Sequence, residues 1–259
     1  MIIKQKISKL FWSSISSKEK VERYQKIIRD KEWEDIKKYI PENSMFLDVG
    51  CGAGDNLLRA KSQLNCIVTG IDPAPGEQGV GRYLLDDLKD ITIDKGFAEN
   101  LPYKDETFDV VFCSHVLEHV NNEDKSLQEI KRVLKKDGVL IVGMPTALMS
   151  LISYFSIILF TTHINVRFFL KSLGKKDMIK RFRTIFIPTS HSYPRANTIY
   201  YDLVMYRVKR WKKVVSKNFQ IESKLQPYLY PYPDYFQFFK IHKSPFGSSS
   251  VFFICKKVS

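Results

Sequence analysis

Asp48, Gly50, Gly52 and Gly54 stand at two-residue spacing at the end of an apolar run, FLDVGCGAGDN over residues 46–56. Glycines let a backbone turn sharply and approach a ligand without Cβ clashes. A dinucleotide loop of the G-x-G-x-x-G type would place its third glycine at position 55, which here is Asp55. A carboxylate at a helix N-terminus repels a pyrophosphate, which that end of the dipole otherwise favours. A second acid, Asp72, closes the run CIVTGID and is followed by Pro73. A carboxylate there can accept hydrogen bonds from both hydroxyls of a ribose. Farther along, His115, Glu118 and His119 are spaced i, i+3 and i+4, so one helical turn would put them on one side. His191 lies in PTSHSYPR. Histidine takes up a proton near neutral pH, so His115 and His191 are the candidate bases.

Positioning these groups requires strands that end where the acids stand. Apolar runs predict strands near 44–49, 66–71, 91–96, 108–113 and 138–143, with helices near 54–63, 77–88 and 122–136. The alternation implies an α/β sheet that binds ligands beyond the carboxyl ends of its strands. Ahead of it, 1–16 reads as a basic amphipathic helix and Ser17–Ile40 as a second helix, stopped by Pro41. Residues 1–40 thus form an N-terminal helical segment and 41–145 the cofactor-binding core. Residues 146–197 read as an inserted apolar and basic lid. Residues 198–259 carry a helix over Thr198–Asn218 and two last strands, Phe219–Leu225 and Val251–Lys257, all within one globular domain. Ala147–Phe160 holds no charged residue. A helix of that length spans about 21 Å, short of the ~30 Å hydrocarbon core of a bilayer. It reads as a core or interface helix, the roof of an apolar cavity, or a membrane-facing segment.

Charge is divided unevenly. Of the 41 Lys and Arg and 28 Asp and Glu, residues 1–143 hold 22 and 24, whereas residues 144–259 hold 19 and 4. The second half also holds 23 of the 34 aromatic residues. A field of that sign attracts an anionic partner. The four cysteines, Cys51, Cys66, Cys113 and Cys255, form no CxxC pair, so neither a zinc site nor a disulfide framework is indicated. Cys51 fits between the cofactor-loop glycines as a small packing residue. Reduced cysteines and lysines at positions 4, 6 and 9, which interrupt any leader-like apolar run, point to a cytoplasmic protein.

A G-x-G-x-G turn behind an acid suits a nucleoside ligand with an amino-acid end and no phosphate, such as S-adenosylmethionine. The later motifs GFAENLPYKDETFD, VVFCSHVLEHV and LQEIKRVLKKDGVLIVGMP follow in register. With them, about Asp35 to Pro145 resembles the class I S-adenosylmethionine-dependent methyltransferases. The resemblance implies a doubly wound, Rossmann-like, mostly parallel seven-stranded sheet with helices on both faces, the last strand antiparallel, and a lid between strands five and six. It implies that Asp48, Gly50, Gly52 and Gly54 hold the methionine moiety and Asp72 the ribose, with Cys51 and Pro73 beside them. Ala98 and Glu99 would lie by the adenine, and Ser114, His115 and Val116 by the methyl donor. Many relatives carry Asp where this chain has Phe97. Some also hold a divalent metal with an acid–histidine cluster. Here the first position of that cluster is His115 rather than Glu, and no metal is expected.

The implied activity is methyl transfer to a small-molecule, glycan or lipid-linked acceptor, with an oxygen as the expected nucleophile. The basic, aromatic second half adds an anionic membrane surface as a partner, which would place the protein peripherally on the inner membrane face. An RNA or DNA methyltransferase is the rival reading, for the same charge suits phosphates and the aromatics suit unpaired bases. A non-catalytic cofactor-binding scaffold is the third. Oligomeric state is not legible.

Overall fold

A parallel strand covered on both faces must be apolar throughout, whereas a strand at an open edge alternates. Both patterns occur. The computed structural model describes residues 18–75, 91–155, 199–230, 243 and 247–258. β1 (Met45–Val49) and β4 (Phe108–Ser114) are buried along most of their length. β3 (Thr92–Lys95) and β6 (Phe219–Leu225) are exposed at alternate or end positions. With β2 (Ile67–Asp72), β5 (Leu134–Pro145) and β7 (Ser250–Lys257) they form one seven-stranded sheet, ordered β3-β2-β1-β4-β5-β7-β6. Pairing is parallel from β3 to β5, and β7 runs antiparallel to both β5 and β6. This is the mostly parallel α/β sheet that the sequence implies.

Helices pack on the sheet. α1 (Lys18–Ile36) buries Ile28, Trp33 and Ile36, and its Trp33 indole donates to Gln63 Oε1 at 3.0 Å. α2 (Asp55–Leu64) starts from Gly54 and buries Leu57 and Ala60. Trp33, Leu57 and Ala60 share a core cluster with Phe46, Val110, Phe112 and Ile141 of the sheet. Phe46 and Phe112 stack at 6.1 Å, and Trp33 meets Phe112 edge-on at 6.4 Å. α3 (Glu123–Val133) is capped by Asn122, whose side chain accepts from Lys125 N at 3.0 Å, and buries Leu127, Ile130 and Val133.

Several boundaries differ from the sequence reading. α1 gives way to a single 3-10 turn, Lys37–Tyr39, before Pro41. α3 ends at Val133 rather than 136, because Leu134 is fully buried and pairs with Phe108 as the start of β5. The helix expected over Thr198–Asn218 is two helices, Ile199–Met205 and Val208–Val215. The break has a long-range cause: the Tyr206 carbonyl accepts from Ala147 N at 2.9 Å, which competes with helix continuation at that turn. The helices expected at 1–16 and 77–88, most of the lid and the 231–242 loop lie outside the described residues.

The chain divides into two compact units, and the sheet with α2, α3 and Val208–Val215 belongs to one of them. In the other, residues 147–155 are helical. There Thr146 N donates to Ser249 O at 2.9 Å and Ser249 N to Tyr228 O at 2.8 Å.

Gly143 of β5 lies in register with Phe252 of β7, and a Cβ at Gly143 would come within 2.3 Å of the Phe252 ring. Phe252 is 1% exposed and has nowhere to retreat. Gly143→Ala should therefore cost about 1–3 kcal/mol, read as a lower midpoint of urea unfolding.

Candidate cofactor and acceptor site

β1 delivers Asp48 to its carboxyl end, where the side chain is 2% exposed. The chain then turns through Gly50, Gly52 and Gly54, all left-handed, at φ of 73°, 53° and 84°. Gly50 N and Cys51 N donate to Ile71 O of β2 at 2.7 and 3.2 Å, which pins the turn to the neighbouring strand. Gly50 is glycine for two reasons: its φ disfavours a side chain, and a Cβ there would meet Val116 Cγ2 at 2.2 Å. Burial drives the Asp48 carboxyl well above the usual range, while an Asn56 hydrogen bond and the Arg59 charge pull it back. Its Oδ2 has no hydrogen-bond partner among the described residues. A buried acceptor with an open oxygen suits a cationic group such as an ammonium.

Asp72 ends β2 on the same side of the sheet. Its Oδ2 accepts from Gly52 N at 2.9 Å and its Oδ1 from Ala74 N at 2.8 Å. Each oxygen keeps a lone pair, so the carboxylate can still receive two ribose hydroxyls. Pro73, in the turn that follows, is exposed. Cys51 is buried, and burial pushes its thiol far up, so it packs as an inert apolar group. Asp55 sits at the first position of α2, the end that a pyrophosphate would need.

Ala98 and Glu99 follow β3 in the chain. Glu99 Oε1 accepts from Asn121 N at 2.7 Å and Asn122 N at 3.4 Å, so this oxygen ties down the loop after β4. Ala98 is buried, whereas Phe97 is 59% exposed and offers an open ring face for stacking. The segment is held from behind by Arg132 of α3. That guanidinium donates to the carbonyls of Leu101 and Tyr103 at 2.9 and 2.7 Å and to Asp105 and Glu129 carboxylates at 2.8 Å each. Tyr103 donates to Asp94 Oδ2 at 2.8 Å, and burial followed by that carboxylate pushes its phenol up. The sequence reading passed over Arg132 and Tyr103. The i, i+3 spacing of Glu129 and Arg132 was the one local signal.

β4 ends at Ser114, and His115 follows in a left-handed conformation, φ 57°, which is costly for a side chain of that size. The turn is secured at three points. His115 N donates to Gly143 O at 2.8 Å, the ring Nε2 lies 3.1 Å from Ser250 Oγ, and Nδ1 lies 3.4 Å from Glu118 Oε1. The ring tautomer sets which of Nε2 and the Ser250 hydroxyl donates. Burial, then the Arg29 charge from α1, lower His115 to about 3; Glu32 opposes this and His119 adds to it. His115 is thus a neutral wall of the site, its Nε2 engaged by Ser250. Ser250 and Arg29 had no distinguishing signal in the sequence.

Asp48, the glycine turn, Asp72 and Ser114–Val116 therefore converge at the carboxyl ends of β1, β2 and β4. His191 lies outside the described residues. Among the described residues, no group of three His, Cys, Asp or Glu is placed to hold a metal ion. A polar cleft of about 670 Å³ opens at the other end of the strands, lined in part by Asn43, Asp109, Lys135 and Lys256. Two of its lysines have local partners, Lys135 in Asp109 at 2.7 Å and Lys256 in Asp137 O at 2.6 Å.

Residues 47–142 match the family described as "Methyltransferase domain". The chain is 34% identical over 109 residues to a sterol 4-C-methyltransferase of Caenorhabditis elegans, covering 40% of this chain and 31% of that protein. It is 35% identical over 103 residues to a ubiquinone biosynthesis O-methyltransferase of Glaesserella parasuis, covering 38% and 43%. The chain thus spans well under half the length of these curated relatives. The fold is shared with an S-adenosylmethionine-dependent methyltransferase of Thermotoga maritima, at a TM-score of 0.54 and 21% identity over 92% of both chains. S-Adenosylmethionine fits what the turn provides: an open buried carboxylate oxygen, a second carboxylate for a ribose, and a backbone bare of Cβ atoms.

Gly50→Ala should lower affinity for S-adenosylmethionine roughly tenfold or more, measured by calorimetric titration, because the turn must open to admit the methyl group. His115 gives a stability signature. Its unfolded value is 6.5 and its folded value about 3, so between those pH values only the unfolded chain binds the proton. Its contribution is complete above pH 6.5 and is lost as pH falls toward 3. His115→Asn, which tolerates the left-handed turn, should flatten that decline in urea unfolding across the acid range. Residues 47–142 of this chain thus match a methyltransferase domain, on a fold shared with S-adenosylmethionine-dependent methyltransferases.

Proposed function

We propose that the protein methylates an oxygen of a small apolar or lipid-linked acceptor, at the cytoplasmic face of an anionic membrane. The observation that carries the transferase part is the open oxygen of buried Asp48 beside the glycine turn. When bound, S-adenosylmethionine supplies a methyl group made electrophilic by its sulfonium. The chain's own residues hold and shield. Asp48 faces the cationic amino-acid end, Asp72 the ribose, and Ser114–Val116 wall the transfer position. Transfer to a hydroxyl also needs a base for its proton. His115 is neutral but engaged by Ser250, so in this reading His191 takes that proton.

Support for an apolar acceptor comes from two directions. Relatives named for sterol and ubiquinone methylation match this chain, and these names describe lipid chemistry. The helical residues 147–155 carry no charge. A polynucleotide acceptor is the second reading, favoured by the exposed bases of Val208–Val215.

The test incubates the protein with methyl-labelled donor and a fractionated cell extract. Label should enter the organic phase and survive mild alkali, as an ether does and an ester does not. Label recovered in RNA would replace the acceptor assignment. His191→Ala should lower turnover on the lipid fraction by roughly 10²-fold or more, with donor affinity unchanged by calorimetry.

A further inference from the structure

Three large apolar side chains stand exposed among the described residues of the compact unit that holds the sheet: Ile67, Phe97 and Val258. Ile67 opens β2 in register with Met45, and Val258 follows β7 beyond Cys255, the partner of Leu140. Both therefore lie toward the amino ends of the parallel strands. Phe97 alone of the three lies past the carboxyl end of a strand, two residues beyond β3, where a sheet of this kind takes its ligands. An isolated exposed ring is ordinary on a protein surface, so its place in the fold is what sets this one apart.

The backbone around Phe97 is fixed on both sides. Asp72 pairs in register with Lys95, and one residue later Gly96 N donates to Asp72 O at 3.1 Å. Gly96 admits no side chain unless Ile71 moves, for a Cβ there would lie 2.8 Å from Ile71 Cδ1. Phe97 thus stands one residue from a direct bond to the strand end whose carboxylate is assigned above to a ribose. Asn100 N returns to Phe97 O at 3.1 Å and closes a tight turn. Within that turn Ala98 is buried, and Glu99 Oε1 accepts from Asn121 N at 2.7 Å, which ties the turn to the loop after β4. Leu101 is buried next, and its N donates to Glu129 Oε2 at 2.9 Å. A ring that stays 59% exposed on a backbone held at each of these points is presented outward rather than left loose.

We infer that Phe97 is the platform on which the donor's nucleobase stacks, so that the site grips the base by its face. A base is joined directly to its ribose. With the ribose hydroxyls at Asp72, the base lies within one side-chain length of position 97. Stacking on an aromatic ring holds any base, because every base has a π-face, and it leaves the donors and acceptors at the rim unread. Adenine and hypoxanthine, which differ at the rim, are therefore held with similar strength. A partner protein would need apolar surface around the ring, and Lys95 and Asn100 beside it are polar and exposed. The inference rests on the reading of this site as one for S-adenosylmethionine and adds the residue and the force that hold the base.

The test is calorimetric titration of the full chain with S-adenosylhomocysteine, S-inosylhomocysteine and the base-free S-ribosylhomocysteine. Wild type should bind the first two within about threefold of each other. Phe97→Ala should weaken both by roughly tenfold or more, and Phe97→Tyr should keep them near wild type. Neither change should alter the affinity for S-ribosylhomocysteine. Because the ring is exposed, both variants should keep the wild-type melting temperature. Phe97→Trp should gain an emission that S-adenosylhomocysteine quenches, and an added emission blind to that ligand overturns the inference. Unchanged S-adenosylhomocysteine affinity in Phe97→Ala overturns it too, as does an equal loss for the base-free ligand, which marks a structural role. A wild-type preference for adenine over hypoxanthine of about tenfold or more also overturns it, since the rim is then read. A wild type that binds none of the three ligands removes the donor reading and the inference together, whereas binding that ignores position 97 leaves the donor reading standing.

Discussion

The site depends on a single close contact, the packing of Val116 against the bare α-carbon of Gly50. It joins two turns that leave different strands, one after β1 and one after β4. Neither turn could take its shape alone. The β1 turn needs left-handed backbone at three glycines, and the β4 turn needs it at His115, which has a full side chain. Strain of that kind persists only where the surroundings over-determine it. The β4 turn has Gly143 O, Ser250 and Glu118 to hold it, and the β1 turn has Ile71 O and Asp72. The two turns therefore brace each other beyond the carboxyl ends of β1 and β4.

Electrostatics follow from that geometry. Asp48 is buried so deeply that its carboxyl resists ionisation, and its nearest counter-influence is an amide from Asn56 rather than a cation. Supplying a cation from the protein would have neutralised the site in advance and left nothing for a ligand to satisfy. His115 is treated in the opposite sense. Burial and the Arg29 charge keep it neutral, so no second positive charge stands beside the place where a sulfonium would lie. One group with a proton it holds too tightly and another that refuses one are two consequences of the same desolvation.

The strands, their order of appearance and the glycine turn were legible because they rest on local rules: apolar runs, and glycines where φ must be positive. Asp48 and Asp72 were legible because one stands next to last in β1 and the other closes β2. What was not legible lies in partners distant along the chain. Arg132 braces the Leu101–Asp105 loop from about thirty residues away, and Ser250 reaches His115 from the other end of the chain. The helix break at Tyr206 was hidden for the same reason, since the amide at Ala147 that takes its carbonyl is 59 residues earlier. Glu99 has a role that the sequence did not show, for its Oε1 accepts from the backbone amides of Asn121 and Asn122.

The division of charge along the chain makes physical sense against this site. A cationic ligand entering a crevice lined by Asp48, Asp55 and Asp72 gains nothing from nearby lysines and loses from each one. A near-neutral cofactor half therefore lets the local carboxylates set the field at the crevice. The bases are concentrated later in the sequence, where 19 of the 41 Lys and Arg fall after residue 143 against only 4 acids.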